Sequence, residues 1–199
     1  MGSCLEKKST DIRREEIIRA AFEVLGEKGV RGLTIAAIAE SAGMSNANIY
    51  RHFGGKDDVL SALVQFIAEE IMGKASSIAA GSGTPSAKLE RIFFSHMALI
   101  GENPGIPRLV FSEEIHLGDR KIADFLAVRL GYYVETISAV IAAGSAEGEF
   151  LKELSPRETA LTFLGMIQFT ALRRVMGGAS AEHVTEAERL WANFLRLIR

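Results

Sequence analysis

A single cysteine, Cys4, stands in a chain of 199 residues, so no internal disulfide can form and the core must hold by packing, as suits a reducing cytoplasm. Only four prolines interrupt the chain, and apolar residues recur at three- and four-residue intervals along nearly its whole length. That pattern predicts helices and an all-α fold. No apolar run approaches the roughly 18 residues of a membrane span, and the start MGSCLEKK lacks the apolar stretch of a signal peptide. A cytoplasmic protein with no membrane partner is expected. Gly2 and Cys4 invite a lipidation reading, but Glu6 occupies the place where the myristoylation pattern wants Ser or Thr, so residues 1–9 read as a flexible tail. Bulk charge also lacks a sign. The formal net charge is −2, and residues 1–60 hold nine Lys/Arg against nine Asp/Glu. Only local placement of charge can point to a partner.

What is present is helical punctuation, and hydrophobic content of 48% is enough for a packed core. A first helix is predicted from about Thr10 or Asp11 to Gly29, with Ile17, Ala21, Val24 and Leu25 on one buried stripe. Thr34 then has the features of an N-cap, flanked by Leu33 and Ile38 as a hydrophobic staple, and Ser45 repeats the device with Met44 and Ile49. Gly43 can take the left-handed conformation that ends the helix between them, and small Ala39 suits their crossing. Together these predict a helix–turn–helix. A fourth helix is expected from near Lys56 to about Ala80, with Asp57 and Asp58 in its first turn. Further helices are expected over 85–101, 104–117 and 119–146. A helix opened by a Ser155-Pro156-Arg157-Glu158 capping box should end before Gly177-Gly178, and a last one begins between Ser180 and Thr185. The expected count is about nine, divided into a head over 10–55 and a helical body over 56–199.

Between Glu40 and Asp57 no acid occurs from Ser41 to Lys56. On a helix starting after Ser45, each residue turns about 100°, which puts Ile49 and Phe53 on one face and Ala47 and Arg51 on the opposite one. Asn46, Asn48 and Tyr50 lie on the flanks. With the apolar pair buried, the outward face is small, polar or basic. Such a helix can enter the major groove of double-stranded DNA, where Asn can pair with adenine and Ala can sit against a thymine methyl. Tyr50, His52, Lys56 and Thr34 are placed to reach the phosphate backbone, with helix N-terminal amides at Thr34, Ser45 and Lys56 adding to them.

At these residues the chain resembles the tetracycline-repressor (TetR) family of transcriptional regulators. The family pattern stands here as Ile17-Ile18-Arg19-Ala20-Ala21-Phe22, Leu33-Thr34, Ile38-Ala39, Ala42-Gly43-Met44-Ser45 and Ile49-Tyr50-Arg51-His52-Phe53, with Lys56 and Leu60. The match spans roughly residues 12–64. The resemblance implies that Asn46, Ala47 and Asn48 approach bases while Thr34, Tyr50, His52 and Lys56 hold phosphates. Two departures are visible. Gly55 replaces a polar capping residue, predicting a looser start to helix 4, and Ala36 and Ala37 replace side chains that often reach DNA from the second helix.

One recognition helix reads few base pairs, so such proteins pair and bind palindromic operators, with half-sites about 34–36 Å or a multiple apart. A homodimer is expected. Phe163, Ile167, Leu190, Trp191, Phe194 and Ile198 on the last two helices are the candidate interface, a four-helix contact as the resemblance implies; the same residues fit an intramolecular core. Phe93, Phe94, Met97, Phe111, Phe125, Tyr133, Met166 and Phe169, with Tyr132, are candidates to line an apolar effector pocket or to form core. The expected effector is small and mostly apolar, because few charged residues fall within these stripes. Helix 4 is the natural lever from pocket to head.

Catalytic and metal chemistry are not indicated. Glu113-Glu114-Ile115-His116 has the Glu-x-x-His spacing of di-iron bundles, but those need a second copy. Phosphate loops, paired cysteines and nucleophile motifs are missing, so neither an enzyme nor a cofactor is expected. Two classes remain: a DNA-binding repressor released from its operator by an effector, and an all-helical binding or enzyme-like protein whose head is not used for DNA.

Overall fold

The computed structural model describes residues 2–115, 120–176 and 183–199, and among them are nine helices and no strand. In chain order these are α1 (Gly2–Gly32), α2 (Ile35–Ser41), α3 (Asn46–Tyr50), α4 (Lys56–Ala80), α5 (Pro85–Glu102), α6 (Gly105–Val110), α7 (Arg120–Ala146), α8 (Pro156–Val175) and α9 (His183–Ile198). They form two compact units, one of Met1–Ile67 with Asn103–Ala123 and the other of Ala68–Glu102 with Asp124–Arg199. By compactness the first unit therefore runs through Ile67, beyond the boundary at residue 55 that the sequence suggests.

In the first unit, Ile17, Ala20, Ala21, Val24 and Leu25 bury the predicted stripe of α1. The helix begins at Gly2 rather than Thr10, since neither proline nor glycine breaks it between Ser3 and Leu25. Its kink falls at Gly29, where φ is 68°, and helical turns resume to Gly32. Helix α6 lies against α1 at close range. A Cβ on Gly105 would stand 2.9 Å from Leu25 Cβ and 3.0 Å from the Phe22 carbonyl oxygen, and Arg108 Nη1 donates to the Gly26 carbonyl at 2.6 Å. Glycine is what allows that approach. Helix α6 is shorter than the predicted 104–117: the Ser112 hydroxyl takes the Leu109 carbonyl at 2.8 Å, competing with helical continuation.

The second unit is built on aromatic contacts. Phe93 of α5 packs against Phe94, Phe163 and Trp191 with ring centroids 5.3, 5.9 and 5.8 Å away, and Phe163 meets Phe194 at 5.5 Å. Helix α5 starts as predicted, with Thr84 Oγ1 accepting from the Ala87 amide at 3.3 Å. Its first turn is also held by Glu149, which accepts from the Ser86 amide at 3.1 Å and from the Ser86 hydroxyl. Arg199 lies 3.6 Å from the same carboxylate. The predicted capping box at α8 is not made: Ser155 has the extended backbone of an N-cap, but its side chain makes no cap bond, and Pro156 opens the helix.

Helix α7 is the one described helix long and apolar enough by composition to cross a membrane. Tyr133, Val134, Ile137 and Ile141 are buried within the second unit, Val128, Leu130 and Tyr132 are exposed, and exposed Glu135 pairs with Arg157 of α8.

Candidate nucleic-acid interface

Both predicted caps form. Thr34 Oγ1 accepts from the Ala37 amide at 3.1 Å and Ser45 Oγ from the Asn48 amide at 3.2 Å, each with an extended backbone. Between them Gly43 has φ 62°, and its neighbour's amide, Met44 N, reaches back to the Ala39 carbonyl at 2.8 Å. That bond closes the end of α2 and sets the turn. Leu33, Ile38, Ile49 and Phe53 are buried behind the pair of helices, and Ala39 is 2% exposed at their crossing.

The opposite side is open to solvent. Asn46, Ala47 and Arg51 are exposed, Tyr50 is 57% exposed, and Asn48, His52 and Lys56 are half-buried. Helix α3 itself is only five residues, with Arg51 as its C-cap, so Arg51 and His52 sit on the tightened turn that follows it. The hydroxyls of Thr34 and Ser45 are already accepting cap bonds, yet each retains a proton to donate. Lys56 Nζ donates to the Val30 carbonyl at 3.1 Å, which uses one of its three donors and holds the ammonium near the α3–α4 junction. His52 Nδ1 is buried with no hydrogen-bond partner among the described residues.

Sequence reasoning missed the side chains that hold this surface from behind. Arg14 of α1 donates from Nη1 to the His52 carbonyl, and its guanidinium lies 4.2 Å from the centroid of the Phe53 ring. The end of α3 is thus clamped by a charge-assisted hydrogen bond and a cation–π contact at once. On the other flank, Ser41 Oγ donates to Glu23 Oε2 at 2.8 Å, tying α2 to α1. The loose start predicted for α4 is corrected by Asp58, whose Oδ2 accepts from the Gly54 amide at 2.7 Å. Gly54 permits this, because a Cβ there would stand 2.8 Å from that oxygen.

The remaining candidates divide differently from expectation. Phe163, Ile167, Trp191, Phe194 and Ile198 are each 6% exposed or less, which makes them core of the second unit rather than surface, and Leu190 is half-buried. Helix α8 is apolar on a second face instead: Leu161, Phe169 and Met176 are 51%, 64% and 77% exposed. Phe169 therefore does not line an interior pocket. Phe93, Met97 and Tyr133 are buried, and Phe94, Phe125 and Met166 half-buried, in the second unit, whereas half-buried Phe111 belongs to the first. Phe125 lies under the Arg129 guanidinium at 5.1 Å, and Tyr132 is exposed. A surface groove of about 370 Å³ runs along Glu69, Glu70, Gly73, Lys74, Ser77 and Ile78 of α4, and holds none of the predicted residues. Among the described residues no group of three or more His, Cys, Asp or Glu is gathered as a metal would require; His116, of the Glu-x-x-His pattern, lies outside them.

A capped helix–turn–helix with an acid-free outer face defines a DNA-binding regulator of transcription. Residues 17–63 match the family model described as "Bacterial regulatory proteins, tetR family", and residues 82–172 match "Tetracyclin repressor-like, C-terminal domain". The chain belongs to the TetR family of transcriptional regulators. It is 28% identical over 150 residues to the nucleoid occlusion factor SlmA of Marinobacter nauticus, covering 74% of each chain. To the HTH-type transcriptional repressor KstR2 of Rhodococcus jostii it is 25% identical over 177 residues, 89% of this chain and 86% of that one. The fold is also that of the transcriptional regulator FadR from Bacillus subtilis, solved in complex with stearoyl-CoA, with a TM-score of 0.75, 22% identity, and coverage of 93% of this chain and 99% of that one.

Proposed function

We propose that this protein works in the cytoplasm as a homodimeric repressor that holds a palindromic operator and releases it on binding a small, mostly apolar effector. The observation that carries the DNA half is the exposed Asn46, Ala47, Tyr50 and Arg51 face, rigidly backed by buried Ile49 and Phe53. Asn46, Ala47 and Asn48 read base edges in the major groove, while Tyr50, Arg51, His52, Lys56 and the caps Thr34 and Ser45 hold phosphates and set register. The dimer forms through the outer face of α8. Leu161, Gly165, Phe169, Leu172 and Met176 fall within about 80° of one another at 100° per residue, and exposed Leu197 adds to them from α9. The effector half is supported by the repressor name of KstR2 and by the acyl-CoA in the FadR structure. Helix α4 is continuous from Lys56 to Ala80, across the boundary at Ile67, and is the lever that changes the spacing of the two heads.

Operator selection from random DNA, followed by binding over a range of salt, tests this reading. Tyr50→Ala and Lys56→Ala should weaken binding to all sequences, and Lys56→Ala, which removes a cation, should also lower the salt slope by about 1. Asn48→Ala should instead relax preference at one position per half-site, with discrimination falling by about 1–3 kcal/mol. Intact affinity in Tyr50→Ala would overturn the placement of α3, and a flat salt slope would favour a helical binding protein that leaves its head unused.

A further inference from the structure

A polar pair in the second unit plays no part in the DNA-reading surface. His96 on α5 and Tyr133 on α7 meet with His96 Nδ1 3.1 Å from the Tyr133 hydroxyl, their rings 5.7 Å apart. Tyr133 is 3% exposed. Their helical neighbours are apolar and buried: Phe93, Met97 and Ile100 on α5, and Val134, Ile137 and Ile141 on α7. Polar groups in such a setting are costly unless their hydrogen bonds are complete.

Counting donors fixes the polarity of the pair. Were Nδ1–H to donate to the tyrosine oxygen, the buried O–H would need a second acceptor, and Tyr133 has no other hydrogen bond among the described residues. Tyr133 therefore donates, His96 Nδ1 accepts, and the imidazole proton sits on Nε2. Burial favours the neutral form of both, lowering His96 to about 4 and raising Tyr133 above the ordinary phenol range. Among the described residues Nε2–H has no hydrogen-bond partner, and the unpartnered atoms sealed from solvent there are His52 Nδ1 and Arg174 Nε. It is a donor with a fixed direction, reachable from outside, on an apolar helix face.

We infer that the His96–Tyr133 pair is the polar anchor of the effector site, with His96 Nε2 donating to a neutral carbonyl oxygen, as in a ketone, ester or thioester, on an otherwise apolar molecule. This rests on the effector reading above. A hydroxyl would suit less well, because its own proton would need an acceptor and the Nδ1 lone pair is already taken by Tyr133. A carboxylate would bring a negative charge that a neutral imidazole does not balance.

The only tryptophan, Trp191, reports on the site, since its ring lies 5.8 Å from Phe93, one helical turn from His96. The full chain is titrated with 2-decanone, decane and decanoate by tryptophan fluorescence and calorimetry. Wild type should bind 2-decanone about tenfold more tightly than decane, the worth of one desolvated hydrogen bond. His96→Leu should abolish that preference, bringing the ratio of 2-decanone to decane affinity to about one. Tyr133→Phe, which removes one oxygen and frees the proton to occupy either nitrogen, should lose part of it and serves as the test if His96→Leu does not fold. Equal affinity of wild type for 2-decanone and decane, or a preference that survives in His96→Leu, overturns the anchor and leaves an apolar effector standing. Tighter binding of decanoate than of 2-decanone overturns the neutral-carbonyl assignment. If none of the three binds, the apolar-effector reading falls and takes the anchor with it.

Discussion

Arg14 illustrates how a residue on α1 can hold the end of α3 from behind. Its two contacts, to the His52 carbonyl and the Phe53 ring, both act on the turn that ends α3, and a partly buried cation–π contact and a charge-assisted hydrogen bond are each worth about 1–2 kcal/mol. Arg14→Met keeps the aliphatic packing and removes both. Operator affinity should drop by roughly tenfold, with helical content unchanged by circular dichroism. Arg14→Lys should recover part of that loss, because an ammonium can still sit over the ring but lacks the fork that reaches the carbonyl. The outward residues of α3 were legible in the sequence, since Ile49 and Phe53 at helical spacing determine which side faces away. Arg14 was not, because its partner lies 38 residues further along the chain.

At the scale of elements, the turn between α2 and α3 depends on a backbone conformation open to glycine and strained for others. Gly43 has φ 62° and nothing within 4 Å of an added Cβ, so Gly43→Ala meets no collision and its whole cost is conformational. That cost is about 1–2 kcal/mol, read as a lower midpoint in urea. Relief by rotating the turn would show as weaker operator binding. In the second unit the start of α5 depends on Glu149. Burial raises its carboxyl pKa, but hydrogen bonds from the Ser86 hydroxyl and amide, the Arg199 charge and a bond with Thr84 outweigh that, and the net shift is downward from 4.5. A carboxyl lowered in the folded state contributes stability above about pH 4.5, and the contribution fades as pH falls through the folded value. Glu149→Gln should therefore be less stable at pH 7 by about 1 kcal/mol, with the gap to wild type closing below pH 4.5 in urea titrations. Helix starts were legible at Thr34, Ser45 and Thr84 because capping is local. The Glu149 and Asp58 caps were not expected: one crosses from a distant loop, and the other reaches back from inside the helix it begins.

At the scale of the molecule, α8 carries two apolar faces, and only one can be core. Phe163 is fully buried among Phe93 and Phe194, so Phe163→Ala should cost about 3–5 kcal/mol of folding stability. Phe169, 64% exposed, should behave oppositely. Phe169→Asp is expected to leave the thermal midpoint of the monomer nearly unchanged while converting a dimer to monomer in sedimentation, and operator affinity should fall with it, since two half-sites need two heads. Dissociation in neither variant, or in Phe163→Ala alone, would place the interface elsewhere.

The amino-acid order alone determined what depends on neighbours within a few residues: helical periodicity, the caps at Thr34 and Ser45, the turn at Gly43, and with them the DNA-reading head. Tertiary structure alone decided which of two apolar faces on α8 is inside, what clamps α3 from behind, and which titratable side chains meet, as His96 and Tyr133 do across α5 and α7. The reason is the range of the interactions. Capping and periodicity act over one turn of helix, whereas burial depends on what arrives from the other end of the chain, and no spacing within a single helix records that.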